Sequence, residues 1–426
     1  MVELIKQIFT LDKITKIIVA TPSNSAANLF TTALIDSGMF KNPFDFIRLV
    51  SNVQVEKGLV PDYLKRYCAT VSVNSKPTTG ETWENSEMRK NITKDDIMAN
   101  RICISTLSCF GSLMQMKIPD DHFSHVIIDE AGQSTEPESL IPISLLAQHK
   151  GQVILAGDPL QLGPCSNSRY VKNFKLDLSL LERLLDTNKC YAQNSKRQFN
   201  PLFVTQLKIN YRSLPSILKV YNDLFYNSEL ECAINNKSSS EAEMFNILVG
   251  IENLFPKTIN RSCGMFFVDV VKGKNRRVPD SCSWYNEEEM NSIISFLSKL
   301  NAVGIDFKDI GIITPYALQV KKFKHKISIA LPETDLKVGT VEEFQGEERH
   351  IILVSTVRTD EIYFQNDAKF SLGFLQCKKR MNVAISRAKS MLVVFGKAEC
   401  LKKDEKWTKL INYAQENGTF VIDDRT

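Results

Sequence analysis

Eight short runs of β-branched and aliphatic residues, spread along nearly the whole chain, limit its possible folds more than any other feature. They are KIIVA (residues 16–20), RICIST (101–106), HVIID (125–129), QVILAGD (152–158), MFFVDVV (265–271), IGIITPY (310–316), HIILVSTVR (350–358) and MLVVFG (391–396). Runs of this length and composition predict buried strands. Helix-period segments separate several of them. In NEEEMNSIISFLSKL, Met290, Ile293, Ile294 and Leu297 share one face and the acidic residues fall in the first turn. Strand alternating with helix predicts an α/β fold with mainly parallel sheets, because each parallel crossover needs a helix to return the chain.

A chain of 426 residues predicts two or three domains, and 43% hydrophobic residues suffice for sizeable cores. No apolar run approaches the ~18 residues of a membrane span. The opening MVELIKQIFTLDK is amphipathic with mixed charge, unlike an export leader, so a cytoplasmic setting is expected. Ten cysteines occur without a CxxC pair or a Cys/His cluster, which argues against a zinc module and a disulfide framework. A net charge of +4 permits nucleic-acid binding without indicating it. Three basic clusters are more local: Lys272, Lys274, Arg276 and Arg277; Lys321, Lys322, Lys324 and Lys326; Lys378, Lys379 and Arg380. Each is equally consistent with a solvated face. A boundary is expected near residue 205, giving domains 1–205, with an insertion at about 51–100, and 206–426.

The strongest chemical signal is VIIDEAGQSTEPESL, where an apolar strand runs directly into Asp129 and Glu130. Carboxylates at the carboxyl end of a parallel strand sit where α/β proteins bind ligands. One can hold Mg²⁺, usually through water, and the other can orient and deprotonate an attacking water. Both roles require the backbone to turn there, since neighbouring strand residues face opposite ways. A second strand, QVILAGDPLQLGP, delivers Gly157, Asp158, Pro159 and then Gln161, whose amide can bond water or a phosphate oxygen without adding charge. KINYRS offers Tyr211 and Arg212, and NVAISRAK offers Arg387. An aromatic ring can stack on a base, and a guanidinium can bind phosphate bidentately. In KVGTVEEFQGEERHIILVSTVR, Gly346 allows close backbone approach and Glu348 can accept from a ribose hydroxyl. Taken singly, a solvated loop, a tight turn, a surface ion pair and a charged helix with a glycine break are the plain alternatives.

In order, these segments resemble the motif series of superfamily 1 helicases. The likeness is to the branch containing the nonsense-mediated-decay helicase, and within it to the Armitage and Moloney-leukaemia-virus-resistance type RNA helicases. It is carried by TPSNSAANL (21–29), DEAGQSTEPESLIPI, AGDPLQLGP, LKINYRS, ITPYALQ, VGTVEEFQGEER and LGFLQCKKRMNVAISRAK. The resemblance implies two RecA-like domains, ATP and Mg²⁺ as cofactors, single-stranded RNA as substrate and RNA-silencing proteins as partners. It implies Asp129 on Mg²⁺, Glu130 as catalytic base, Gln161 sensing the γ-phosphate, Tyr211 stacking on adenine, and Arg212 and Arg387 on the γ-phosphate. Gly346 and Glu348 approach the nucleotide, and Ser23, Asn24, Thr106, Pro315 and Thr340 follow the RNA backbone. A superfamily 1 DNA helicase and an ATP-independent RNA-binding scaffold are the alternatives.

No GxxxxGK[ST] string occurs among the 426 residues. Such a loop supplies the backbone N–H cradle and the lysine that hold the β- and γ-phosphates. The expectation is therefore of a first RecA-like domain incomplete at its N-terminus, hydrolysing ATP slowly or not at all by itself.

Overall fold

The computed structural model describes residues 1–71, 88–148, 150–165, 170–278, 281, 283–332, 334–359 and 377–424. Part of the polar stretch at 75–91, part of the expected insertion, and LGFLQ (372–376) lie outside the described residues. The chain divides into two compact units: Met1–Pro159 with Gly163–Thr205, and Leu160–Leu162 with Gln206–Thr426. Each is built on one large, wholly parallel sheet flanked by helices, so the α/β class read from the sequence holds.

The first unit contains β1 (Ile17–Thr21), β2 (Phe46–Val50), β3 (Cys68–Val71), β4 (Arg89–Ile92), β5 (Ile102–Thr106), β6 (His125–Ile128) and β7 (Gln152–Leu155). Their order is β4-β3-β2-β5-β1-β6-β7. Apolar residues run continuously through β1 because both faces are covered: Ile17 and Val19 join a core with Ala27, Phe30 and Leu34 of helix Asn24–Asp36, while Ile18 and Ala20 join Phe110 and Leu113 on the other face. Within the span expected to be an insertion, β3 pairs with β2, and β4 pairs with β3 with a register shift between Ala69 and Val71. The chain goes from β1 toward β2 on one side, and later crosses to β6 on the other. Such a reversal of strand order, here at the carboxyl ends of β1 and β6, marks the usual ligand position in open α/β sheets.

The second unit contains the short parallel pair β8 (Ile209–Asn210) and β9 (Glu231–Cys232) and the antiparallel hairpin β11 (Asn275–Arg277) and β12 (Trp284–Asn286). Its sheet consists of β10 (Met265–Val270), β13 (Ile310–Ile313), β14 (Lys337–Gly339), β15 (Arg349–Ser355), β16 (Ala388–Gly396) and β17 (Phe420–Asp423), in the order β14-β13-β15-β16-β10-β17. Ile352, Val354, Leu392 and Val394 enter one core with Trp407, and Ile351, Leu353, Met391 and Val393 enter the other with Phe296 and Phe323.

Candidate functional site

In the first unit β6 ends at Ile128, and the next two residues are the acid pair. The Asp129 N–H still donates to the Ala20 carbonyl at 2.9 Å, which keeps it beside β1. Glu130 then adopts φ +54°, the left-handed region that few non-glycine residues occupy. Ala131 N–H donates to Ala156 O at 2.7 Å, and Gln133 N–H donates to Glu130 O at 3.0 Å. The Gln133 amide Nε2 also donates to Glu130 Oε2 at 2.6 Å. The chain thus turns where both carboxylates need it to.

Two glycines let this turn lie against the segment after β7. A Cβ on Gly157 would stand 2.8 Å from Gly132 N and 3.0 Å from Ala131 N, and one on Gly132 would stand 3.1 Å from Asp158 O. Asp129 and Glu130 are both half-buried. Burial pushes the Asp129 carboxyl above its ordinary range, against smaller lowering effects from the Glu130 backbone N–H and the Met1 amino group. No group of three or more His, Cys, Asp or Glu able to hold a metal occurs among the described residues.

Ser23, Asn24 and Thr106 share this carboxyl edge. Thr106 ends β5 in register with Thr21 of β1. Ser23 caps helix Asn24–Asp36, its Oγ accepting from Ala26 N at 3.2 Å. Asn24 Oδ1 accepts at 2.8 Å from Arg48, a fully buried guanidinium on β2 that sequence reading passed over.

In the second unit the other candidates divide between the two edges of the sheet. Pro315 follows β13 and Thr340 follows β14, at the carboxyl edge, and the Thr340 N–H donates to Glu343 Oε2 at 3.3 Å. Arg212, Glu348 and Arg387 gather at the amino edge of β15 and β16. The turn carrying Tyr211 and Arg212 is clipped there: Asn210 Oδ1 accepts from the N–H groups of Arg212 and Ser213, Ser213 Oγ donates to Ala388 O at 2.7 Å, and Leu214 N–H donates to Lys389 O at 2.9 Å. Arg212 Nε then reaches Glu348 Oε2 at 2.7 Å, and its Nη1 reaches Ser386 O at 3.2 Å. Lys389 Nζ lies 2.8 Å from Glu348 Oε1.

Burial is the largest single influence on Glu348 and raises its pKa, but the combined bonds and charges of Arg212 and Lys389 outweigh it and hold the carboxyl at about 2. Gly346, at φ +74°, makes the reversal that brings Glu348 to the start of β15. Tyr211 is 71% exposed, with an uncovered ring face. Arg387, only 2% exposed, donates from Nε to Val383 O at 3.2 Å and from Nη2 to Gln161 Oε1 at 2.7 Å. The predicted phosphate-sensing glutamine and one predicted phosphate-binding arginine are therefore direct partners within this unit.

Sequence reading missed Lys389 and Glu289. Lys389 left only a faint signal, a basic residue two places after Arg387. Glu289 lies on helix Glu287–Ala302 and is fully buried. It accepts from Ser355 Oγ at 2.6 Å, Val357 N at 2.9 Å and Asn286 Nδ2 at 3.0 Å. Inside a run of three glutamates, Glu287, Glu288 and Glu289, nothing in the sequence distinguished it from its neighbours.

Two family profiles, both described as AAA domain, match residues 75–169 and 176–399, the second alone covering more than half of the chain. "Probable RNA helicase armi" of Drosophila melanogaster is 40% identical over 415 residues, 95% of this chain and 34% of that protein. "Putative helicase MOV-10" of Gallus gallus is 38% identical over 448 residues, 99% of this chain and 43% of that protein. "Regulator of nonsense transcripts 1 homolog" of Neurospora crassa is 30% identical over 362 residues, 82% of this chain and 30% of that protein. The chain thus spans roughly a third to two fifths of the length of these relatives. With the acid-pair turn of one unit and the clustered arginines of the other, these matches make the chain a member of the AAA-domain helicases of superfamily 1, in the nonsense-mediated-decay branch and of the MOV-10 type.

Proposed function

We propose that the chain is the motor portion of an ATP-dependent RNA helicase acting in RNA silencing or RNA turnover. The observation that carries this reading is the turn after β6, where a left-handed Glu130 follows Asp129 and sets two adjacent half-buried carboxylates at the carboxyl edge of a parallel sheet. A pure binding scaffold has no physical need of both carboxylates together with Arg212 and Arg387.

In this reading Glu130 orients and deprotonates the attacking water, its carboxylate held by Gln133. Asp129 holds Mg²⁺, which when bound neutralises charge on the β- and γ-phosphates. Arg387 and Gln161, already bonded to each other, exchange that bond for γ-phosphate contacts. Arg212 reaches the same phosphate by loosening its pair with Glu348, which then turns to the ribose. Tyr211 offers its exposed ring to the adenine. Ser23, Asn24 and Thr106 on one unit and Pro315 and Thr340 on the other hold the RNA backbone through hydroxyl, amide and strand-end groups, with little sequence preference. RNA-silencing partner proteins and a cytoplasmic ribonucleoprotein setting belong to the same proposal.

Phosphate release with RNA or with DNA of the same sequence tests the substrate. Because the chain contains no GxxxxGK[ST] string, release is expected to be slow, so it is followed under single-turnover conditions. Greater stimulation by RNA is the expected result, since the 2′-hydroxyl is what separates the two polymers. Equal or greater stimulation by DNA transfers the assignment to a DNA helicase.

A further inference from the structure

The hairpin of β11 and β12 has no part in the proposed ATP chemistry, yet it is mounted with unusual care. Its entry segment leaves β10 at the carboxyl edge of the second unit's sheet, the edge that also carries Pro315 and Thr340. Three attachments fix it there. Asn275 and Thr359 exchange hydrogen bonds, Asn275 N–H donating to Thr359 Oγ1 and Thr359 N–H to Asn275 Oδ1, both at 3.0 Å. Asn286 N–H donates to Gln319 Oε1 at 2.9 Å, and Asn286 Nδ2 bonds the buried Glu289. Leu318 N–H donates to Ser283 Oγ at 3.0 Å. The hairpin is therefore tied to the segment after β15 and to the helices that follow β12 and β13.

What this mount displays is positive charge. Lys272, Lys274 and Arg277 are exposed, and their side chains form no ion pair among the described residues. Among the described residues, the acids at the start of the following helix are already engaged: Glu288 binds Arg276, Glu287 binds Lys326, and Glu289 is buried. Of the three, Arg277 lies 5.6 Å from the Trp284 ring, and Lys322 of the helix after β13 lies 4.1 Å from the ring of Tyr285. Arg277 on β11 and Lys272 and Lys274 on the segment entering it, none of them in an ion pair among the described residues, are carried by an element anchored through Asn275, Ser283 and Asn286, and such anchoring lowers the ordering cost of meeting a polyanion.

We infer that this hairpin is a second backbone-binding site for single-stranded RNA, with Lys272, Lys274 and Arg277 contacting phosphates of the strand held by Pro315 and Thr340. The inference rests on the RNA reading of the carboxyl edge and extends it to a specific element. The test measures the affinity of a fluorescent single-stranded RNA for the whole chain across a salt series. A variant carrying Lys272→Glu, Lys274→Glu and Arg277→Glu is compared with one carrying Lys257→Glu, Arg261→Glu and Lys308→Glu. The second set makes the same change of charge on segments entering β10 and β13 at the opposite edge. The hairpin variant should bind about tenfold or more weakly at low salt, with a log–log salt slope shallower by about two, the value for three lost single-strand contacts. The opposite-edge variant should keep the wild-type slope.

Equal losses in both variants, or an unchanged slope in the hairpin variant, overturn the inference while leaving RNA binding intact. A wild-type chain that binds no RNA removes the RNA reading as well. Binding of a poly-glutamate probe that depends on the hairpin, with RNA affinity unaltered by the same substitutions, assigns the surface to an acidic protein instead.

Discussion

At the scale of single residues, close backbone approach and one buried acid decide the behaviour. Gly157 has no room for a side chain, because a Cβ there would stand 2.8 Å from the backbone of the turn that carries the acid pair. Gly157→Ala should therefore destabilise the first unit by about 1–3 kcal/mol, read as a lowered Tm. It should also depress turnover by about 10²-fold through displacement of Glu130. An unchanged Tm would show that the two turns are not packed as described. Glu289 behaves differently. Burial raises its carboxyl to about 7, against the smaller lowering effects of Ser355, Val357 and Thr356. The protonated form is favoured in the fold, so this contribution to stability is complete below the ordinary carboxyl range and is lost as pH rises toward 7. Glu289→Gln, neutral at every pH, should flatten the fall in Tm of the second unit between about pH 4.5 and 7. A wild-type Tm that rises across that window would contradict the assignment. The sequence displayed Asp129 and Glu130 openly because an apolar strand delivered them. It concealed Glu289, since burial of one acid among several depends on the tertiary partners Ser355 and Val357, some 66 and 68 residues away.

At the scale of elements, local chemistry supports the acid-pair turn from its far side. Helix Glu136–Ile143 begins with a capping box in which Thr135 Oγ1 accepts from Glu138 N and Glu138 Oε2 accepts from Thr135 N. Arg183 adds a two-pronged ion pair to Glu136. Thr135→Ala should lower stability by about 1 kcal/mol, measured by denaturant titration, with Thr135→Ser close to wild type. Equal losses for both substitutions would exclude the cap as the cause. All eight apolar runs read from the sequence form strands. Two of the strands that escaped notice share a physical cause: β2 carries the buried Arg48 in FIRLV, and β4 is RKNI. Each is too polar to stand out, and each becomes a strand because a neighbour in the sheet supplies its hydrogen bonds. The hairpin was similarly hidden, since its polar residues resemble a loop until Thr359 and Gln319 are seen to hold them.

At the scale of the whole molecule, two parallel sheets each gather charged or polar side chains at defined edges, a distribution of chemistry that no single motif reveals. In the first unit one carboxyl edge holds the acid pair with Ser23, Asn24 and Thr106. In the second unit the amino edge holds Arg212, Glu348 and Arg387, and the opposite edge holds Pro315, Thr340 and the basic hairpin. The motif order made these residues legible as a set, whereas their division between edges follows from topology alone. The most direct measurement is RNA-stimulated phosphate release by the chain and by its Glu130→Gln variant, with RNA affinity recorded in parallel. Slow release that RNA accelerates, reduced about 10²- to 10⁴-fold by the substitution while RNA binding stays within twofold, is the predicted result. Release that is the same in both proteins would contradict the assignment of Glu130 as the base.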